Sequence, residues 1–328
     1  MRRPHGLIQR DEVEIGVAHP NRFTFLLLTY NQVRTVREAV AGALGQMGEP
    51  LEILISDDCS SDGTFAAIQS AVAGYRGPHR VVLNRNERNL GLNGHIHVAH
   101  EISSGDLIIV AAGDDISLPH RSTRIRALFE KRSPLLVHSA AKVIGPDGEP
   151  AVDDYRKATF FQTTEPKVVA GSTALYLGAT GAWHKDLYRK YGRVEPDAFE
   201  DLVFGFRAAL EGRVGFIDEP LIAYRLGAGL TSVDRATMDR ETYRRFWIRQ
   251  YKAHLAAFHQ RRADAQTFGL DPRDPIFGVI DDAALGAGLS LICARGRPME
   301  ILKAGLMHPK LAFRAFRRER RRYRKLFQ

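Results

Sequence analysis

Two pairs of adjacent carboxylates define the chemistry open to this chain. Asp57-Asp58 lies in Leu51-Glu-Ile-Leu-Ile-Ser-Asp-Asp-Cys-Ser-Ser-Asp-Gly-Thr64, and Asp114-Asp115 in Leu107-Ile-Ile-Val-Ala-Ala-Gly-Asp-Asp115. Each pair follows a short apolar run that reads as a buried parallel strand, so each sits at a strand's carboxyl end, the edge where open α/β sheets bind ligands. Neighbouring acids there repel each other and cost stability unless something useful pairs with them. A carboxylate in that place can accept a hydrogen bond from a base or a ribose, and it can hold a hard divalent cation beside phosphates. Asp57-Asp58 suits the first task and Gly113-Asp114-Asp115 the second. The two together point to an enzyme that handles a nucleoside diphosphate ligand.

Further residues could join them. Thr29-Tyr30-Asn31 closes an apolar run, where Tyr30 could stack on a nucleobase and Asn31 could cap the following turn; a purely structural turn is the equal alternative. Glu200-Asp201 precedes Leu202, Val203 and Phe204 at a helix start. The helix dipole favours acids there, so capping explains one of the two, while the functional reading makes Asp201 a general base. His95, His97 and His100 share a helix, but only the last two share a face, which is too few for a zinc site. Gly91-Leu-Asn-Gly94 matches no phosphate-binding glycine fingerprint. Tyr243, Phe246 and Trp247 fall at helical spacing and read as core.

The elements that must position these residues follow from hydrophobic patterning. Strands are expected at Phe23–Thr29, Leu51–Ser56, Val81–Leu83 and Leu107–Ala111. Helices are expected between them, around Val36–Met47, Phe65–Val72 and Gly94–Ser103, with another after Pro119. This alternation calls for a mainly parallel sheet covered on both faces. Beyond it, strands are expected at Leu135–Ala140, Lys142–Ile144, Ala182–His184, Val214–Ile217 and Leu221–Tyr224, and a helix at Asp201–Glu211. Residues 149–180 are weakly patterned and read as a flap over the site. From Arg235 onward the pattern is helical, broken at Asp271-Pro-Arg-Asp-Pro275.

Composition sets the bounds. A chain of 328 residues, 44% apolar, is ordinary globular protein with room for one large domain or two modest ones. Cys59 and Cys293 are the only cysteines, so no disulfide framework is implied and a reducing cytoplasm fits. The basic start is followed by Pro4, His5 and Gly6 rather than an apolar core, and no uninterrupted apolar run suggests a membrane span, so the chain reads as soluble or peripheral. Of the formal net charge of +9, residues 309–328 carry +8 through nine Lys or Arg against Glu319. In that tail Phe313, Phe316, Tyr323 and Phe327 line one side of a basic helix, a pattern suited to an anionic membrane surface. A solvated face or a nucleic-acid patch are its rivals.

Taken in order, Thr29-Tyr-Asn31, Ile55-Ser-Asp-Asp-Cys-Ser-Ser-Asp-Gly-Thr64, Asn89-Leu-Gly91, Gly105-Asp106 and Gly113-Asp-Asp115 resemble the family-2 glycosyltransferases of the GT-A fold. The resemblance covers about residues 22–130, thins through Phe199-Glu-Asp201 and Tyr224-Arg225, and ends near residue 235. It implies a Rossmann-like α/β catalytic domain over residues 1–230, a helical region over 231–306 and the basic amphipathic tail over 307–328. It also implies an inverting transfer from a nucleoside diphosphate sugar, with a UDP-sugar favoured. By position, Thr29, Tyr30, Asn31, Asp57, Asp58, Asn89 and Asp114 would bind the nucleotide-sugar. Among them Tyr30 would stack on the base, Asp58 (or Asp57) would hydrogen-bond it, and Asp114 would contact the ribose. Asp115 would hold a divalent cation, Mn or Mg, and Asp201 would be the catalytic base; Glu200 and Arg225 are secondary candidates.

Two departures stand out. Ala112 occupies a position where many members have a further Asp, which leaves the metal mainly to Asp115. Leu226-Gly-Ala-Gly229 stands where many carry a His. The Gln-x-x-Arg-Trp motif of processive synthases is also missing, which implies single addition. The expected partners are a saccharide or lipid-linked saccharide acceptor and, through residues 309–328, the inner face of the cytoplasmic membrane, in bacterial lipopolysaccharide or other polysaccharide biosynthesis; nucleic acid is not expected. The alternatives are a degenerate nucleotide-sugar-binding scaffold and a nucleic-acid-binding protein using its basic tail.

Overall fold

A computed structural model describes residues 23–150, 155, 158–226, 239–296 and 298–327, excepting the side chains of residues 298 and 323–327. The first half alternates as expected: β1 (Phe23–Thr29), α1 (Val36–Leu44), β2 (Glu52–Asp57), α2 (Thr64–Val72), β3 (Arg80–Arg85), α3 (Gly91–Ile102) and β4 (Leu107–Ala112). There follow β5 (Ile116–Ser117), α4 (Arg121–Arg132), β6 (Leu136–Ile144), α5 (Pro166–Gly171), β7 (Ala182–His184), α6 (Asp186–Tyr191), α7 (Glu200–Leu210) and β8 (Val214–Arg225). The chain ends in α8 (Arg240–Phe268), α9 (Pro275–Arg295), α10 (Pro298–Met307) and α11 (Pro309–Phe327).

The strands form one eight-stranded sheet in the order β3-β2-β1-β4-β7-β6-β8-β5. Strands β3, β2, β1 and β4 are parallel neighbours, as are β6 and β8; β7 and β5 run antiparallel to the strands beside them. Side chains alternate across the parallel half. Leu26, Leu28, Leu54, Ile108 and Val110 enter one core with α3, α7, α8 and α9, while Phe25, Leu27, Ile53, Ile55 and Ile109 enter a second with α1, α2 and α4. Both faces are covered, which is why these strands are continuously apolar rather than alternating. Register sets Thr29 against Asp57 and Leu28 against Ala112, so the carboxyl ends of β1, β2 and β4 share one edge.

The structure departs from the sequence reading in several places. The two strands expected at 135–144 are the single strand β6, and those at 214–224 are the single strand β8. Shifts of register at Ser139–Lys142 let the pair bend instead of ending. The two-residue β5 has too little pattern to be seen in sequence. The segment read as a flap is folded from residue 158, with a 3-10 turn at Thr159–Phe161 and the helix α5. Its anchor is His138, whose buried ring contacts Phe160, Phe161, Tyr176 and Phe216. Helix α9 is long and apolar enough to cross a membrane, with a mean hydropathy of 1.7 over its most apolar window. It carries Asp281 and Asp282, however, and packs against α5, α8 and α11. Residues 1–22 and the Gly227–Gly229 departure lie outside the described residues.

Capping signals place the helical region. Asp239 and Asp274 cap α8 and α9 by accepting from Thr242 N at 2.7 Å and Ile276 N at 2.9 Å, and Gly269 and Gly296 end them in the left-handed region. Helix α8 packs on the catalytic half through a buried fork in which Arg207 Nε donates to Asp264 Oδ2 at 2.8 Å and Nη2 donates to Oδ1 at 3.1 Å. Replacing Asp264 with Ala should strand the Arg207 charge and cost about 3–5 kcal/mol. Breaking the surface pair of Arg189 with Asp106 should cost at most about 1 kcal/mol. Urea unfolding of the two variants checks the contrast, and equal midpoints would contradict it.

Candidate active site

The residues singled out after β1 and β2 converge at the shared strand edge. Thr29 Oγ1 donates to Asp57 Oδ1 at 3.0 Å. Asp57 also accepts from Ser60 N at 2.9 Å and Ser60 Oγ at 2.5 Å, and Arg85 Nε lies 3.7 Å from its other oxygen. This fully buried carboxylate therefore pins the turn from β2 into α2. Asp58 accepts from Asn86 Nδ2 at 2.8 Å and Leu90 N at 2.9 Å, which ties it to the loop that carries Asn89. Asn31 sits at φ 50°, and its Oδ1 accepts from Ser61 N at 2.9 Å. The capping role read for Asn31 is thus played across to the neighbouring turn. Tyr30 is half-buried beside it.

Asp114 and Asp115 follow β4, each 5% exposed. Burial raises the pKa of Asp114, and burial together with the Asp114 charge pushes that of Asp115 up to about 8. Two desolvated carboxylates that resist joint ionisation fit a divalent cation, because a bound cation would relieve both the desolvation and the repulsion. Among the described residues no group of three or more His, Cys, Asp or Glu is placed to hold a metal. A cation here would therefore take much of its oxygen shell from a ligand's phosphates and from water.

Three side chains hold this pair. Gln32 Nε2 donates to Asp114 Oδ1 at 3.0 Å, and Gln32 packs so closely on Gly113 that an added Cβ there would meet its Oε1 at 2.4 Å. Arg225 donates from its backbone N to Asp115 Oδ1 at 2.9 Å and from Nε to the Asp114 carbonyl at 3.0 Å, while Nη2 reaches Glu38 at 2.8 Å. Arg121, fully buried, donates from Nη2 to the carbonyls of Val110 at 2.7 Å and Ala179 at 2.8 Å, and from Nη1 to Ser117 Oγ at 2.9 Å. Its charge acts on Asp115.

Arg121 leads to the start of α7. The segment it grips, Gly178–Gly181, abuts the first turn of α7, and a Cβ on Gly178 would lie 2.7 Å from Glu200 Oε1. Glu200 and Asp201 are only partly exposed. Burial and the Asp201 charge push Glu200 up to about 8, and burial pushes Asp201 up to about 6 against the pull of the Leu202 N–H, which Asp201 Oδ1 accepts at 2.7 Å. Below them Arg261 of α8 donates to the carbonyls of Leu202, Val169, Ala170 and Ser172. Asn93 Nδ2 holds the approach to α7, donating to the carbonyls of Glu195 at 2.7 Å and Ala198 at 2.8 Å.

The structure thus gathers Thr29, Tyr30, Asn31, Asp57, Asp58, Asn89, Asp114, Asp115 and Arg225 around the carboxyl edge of β1, β2 and β4, and sets Glu200 and Asp201 beside Gly178. Gln32, Asn93, Arg121 and Arg261 were not singled out in sequence. One signal was available: Arg121 opens α4, where the helix dipole disfavours a cation, so its presence required another cause. His95 is buried with Nε2 2.7 Å from Ser56 Oγ, and His100 stacks on Tyr188 with ring centroids 4.2 Å apart.

Residues 24–197 match the profile of Glycosyl transferase family 2. The chain belongs to the family-2 glycosyltransferases. Among curated proteins, it is 30% identical over 102 residues to the putative glycosyltransferase EpsE of Bacillus subtilis, a match covering 31% of this chain and 36% of EpsE. It is 35% identical over 102 residues to the succinoglycan biosynthesis protein ExoO of Rhizobium meliloti, covering 31% of this chain and 28% of ExoO. The chain thus spans about a third of the length of these relatives. In fold it is similar to Staphylococcus aureus TarS 1–349 in complex with UDP-GlcNAc, with TM-score 0.55 and 16% identity over 93% of this chain and 92% of that one. It is also similar to the mannosyltransferase PcManGT of Pyrobaculum calidifontis in complex with GDP-Man and Mn2+, with TM-score 0.51 and 16% identity over 94% and 86%. The fold is GT-A with a helical C-terminal region.

The raised Glu200 carboxyl has a consequence for stability. The folded chain holds this proton more tightly than the unfolded chain, whose carboxyl titrates near 4.5. Its stabilising contribution is therefore complete below that value and is lost as pH rises through about 8. Glu200→Gln should melt higher than wild type at pH 9 and equal to it at about pH 4. Parallel melting curves of the two proteins across that range would contradict the assignment.

Proposed function

We propose that this chain transfers one sugar from a nucleoside diphosphate sugar, with UDP-sugars favoured, to a saccharide or lipid-linked saccharide acceptor, inverting the anomeric centre. The observation that carries the reading is the pairing of two raised carboxylate sites across one short segment. Asp114-Asp115 stand at the β4 edge and Glu200-Asp201 at the start of α7, with Gly178–Gly181 between them.

Asp201 takes the proton of the acceptor hydroxyl, whose oxygen attacks the anomeric carbon as the bond to the diphosphate oxygen breaks and the nucleoside diphosphate departs. A base with its pKa near 6 is ionised at neutral pH yet basic enough to accept that proton. Glu200, the more strongly raised of the pair, keeps its proton while Asp201 is charged. Asp58 accepts from the base, Tyr30 stacks on it, and Thr29, Asn31 and Asn89 shape the pocket together with Asp57, which fixes the turn. Asp114 meets the ribose. A divalent cation, Mn or Mg, on Asp115 supplies charge neutralisation at the leaving diphosphate, and Arg225 positions that carboxylate.

The neighbours in fold are consistent with this donor class, since the TarS and PcManGT structures carry UDP-GlcNAc and GDP-Man. The chain acts in the cytoplasm at the inner membrane face, where residues 309–328 bring it to its acceptor; this class of activity is that of a hexosyltransferase.

Asp201→Asn should lower transfer by about 10²–10⁴-fold while leaving donor binding in place. In wild type, kcat/KM should fall with decreasing pH below about 6, where Asp201 becomes protonated. A nucleotide-sugar should raise the melting temperature more with Mn2+ than with EDTA, and Asp115→Ala should abolish that difference. Transfer near the wild-type rate in Asp201→Asn would remove Asp201 as base. No thermal shift with any donor would favour the degenerate scaffold.

A further inference from the structure

Among the described residues, the last two helices carry apolar side chains that are exposed to solvent. On α10, Met299, Leu302 and Leu306 recur at i, i+3 and i+7, a single helix face, and are 66%, 58% and 77% exposed; Met307 beside them is 73% exposed. On α11 the sequence placed the apolar contact along Phe313, Phe316, Tyr323 and Phe327. The structure instead turns Ala312 and Ala315 onto α9 beside Leu289, which leaves Phe313 and Phe316 outward and puts Tyr323 and Phe327 outside the described side chains. Water-facing aliphatic and aromatic residues concentrated in one 18-residue stretch need a covering.

The charges around this surface choose the cover. Lys303, Lys310, Arg314, Arg317, Arg320 and Arg321 are exposed on the same two helices. The acid of α11, Glu319, is already taken by Tyr251 and Arg322. A second copy of this chain would bring two arginine faces together. A nucleic acid would use the cations but leave Leu302 and Leu306 in water. Only a surface that is apolar beneath and anionic above satisfies both sets.

Next to the apolar face lies a cavity of about 470 Å³ between α8, α9 and α11, walled by Tyr243, Trp247 and Phe316 and edged by Arg244 and Arg320. Arg322 lies over the Trp247 ring at 3.8 Å. Glu319 also lines the cavity, its charge engaged by Tyr251 and Arg322, and aromatic walls with Arg244 and Arg320 at the edge match a phosphate-headed amphiphile.

We propose that α10 and α11 form an interfacial foot seated on an anionic phospholipid bilayer. Met299, Leu302 and Leu306 enter the acyl region, the α11 cations meet lipid phosphates, and the cavity at Trp247 takes one anionic phospholipid. The inference deepens the reading of residues 309–328 as a membrane contact by moving the inserted element to α10.

The test is flotation of the full chain with phosphatidylcholine vesicles, plain or containing about 30% phosphatidylglycerol. Wild type should float only with the anionic vesicles, with a change in the fluorescence of Trp247; the other tryptophan, Trp183, is buried. Leu302→Ser combined with Leu306→Ser alters only exposed positions and should weaken binding about tenfold or more, and Arg314→Glu with Arg317→Glu should do the same. Wild-type flotation by the Leu302/Leu306 double variant would overturn the proposal. So would a fall in its solution mass, relative to wild type, with flotation unchanged, which would assign the face to a second copy. The thermal shift with soluble nucleotide-sugar is read separately in every variant. Loss of flotation with that shift intact belongs to the foot alone, and failure of the donor reading would leave the flotation result standing.

Discussion

Keeping acidic groups at a dry sheet edge is the constraint on which the rest of this structure depends. Asp114 and Asp115 are nearly closed to water, and a charge in such a place costs several kcal/mol unless compensated. The compensation comes from arginines that are themselves buried. Arg121, Arg207, Arg225 and Arg261 are among the largest side chains with almost no exposure. Each lies close to a carboxylate, and each also spends guanidinium hydrogens on backbone carbonyls of an irregular segment: Ala179 and Gly181 for Arg121, Pro146 for Arg225, Gly192 for Arg207, and Val169, Ala170 and Ser172 for Arg261. A planar fork with five donors can do both jobs at once, whereas a lysine could not.

The consequence is a site whose two halves are mechanically joined. Carbonyls of loops that would otherwise be orphaned in a dry interior are satisfied by the same groups that set the field at the carboxylates. Arg121 connects Asp115 to the 178–181 segment, that segment touches Glu200, and Arg261 supports the turn that carries Asp201. Because Arg261 belongs to α8, the helical region contributes to the site and is not an appendage. The same cluster of buried residues holds Leu26 of β1 and Phe258 of α8, so the change from α/β alternation to helices near residue 231 is a change of element type within one core.

The parallel half was legible because both of its signals are local. Continuous apolar strands, the helix faces between them and acids at strand ends can all be counted along the chain. Asp57 shows where that stops: its residue type announced a role at the edge, but only the fold shows Thr29, Ser60 and Arg85 around it. Gln32, Asn93, Arg121 and Arg261 were illegible for a related reason. Each acts on a partner or on carbonyls far away in sequence, and a carbonyl leaves no mark on the side-chain pattern. The folding of residues 158–180 was hidden as well, since its organiser is one histidine ring among four aromatics drawn from three segments.

The replacement of a further acid by Ala112 acquires a physical meaning in this frame. A third carboxylate at the end of β4 would add charge to a pair that already resists joint ionisation. Without it, the protein alone offers a cation few oxygens, and Mg2+ or Mn2+ must complete its shell from water and from whatever phosphates arrive. Cation and donor affinity would then be reciprocal, each raising the other by the same factor. The free protein would bind the metal weakly and the donor complex would bind it well. The backbone N–H of Arg225, which cannot swing away as a mobile side chain could, fixes the Asp115 carboxylate, and that would keep it aimed at a cation if one bound.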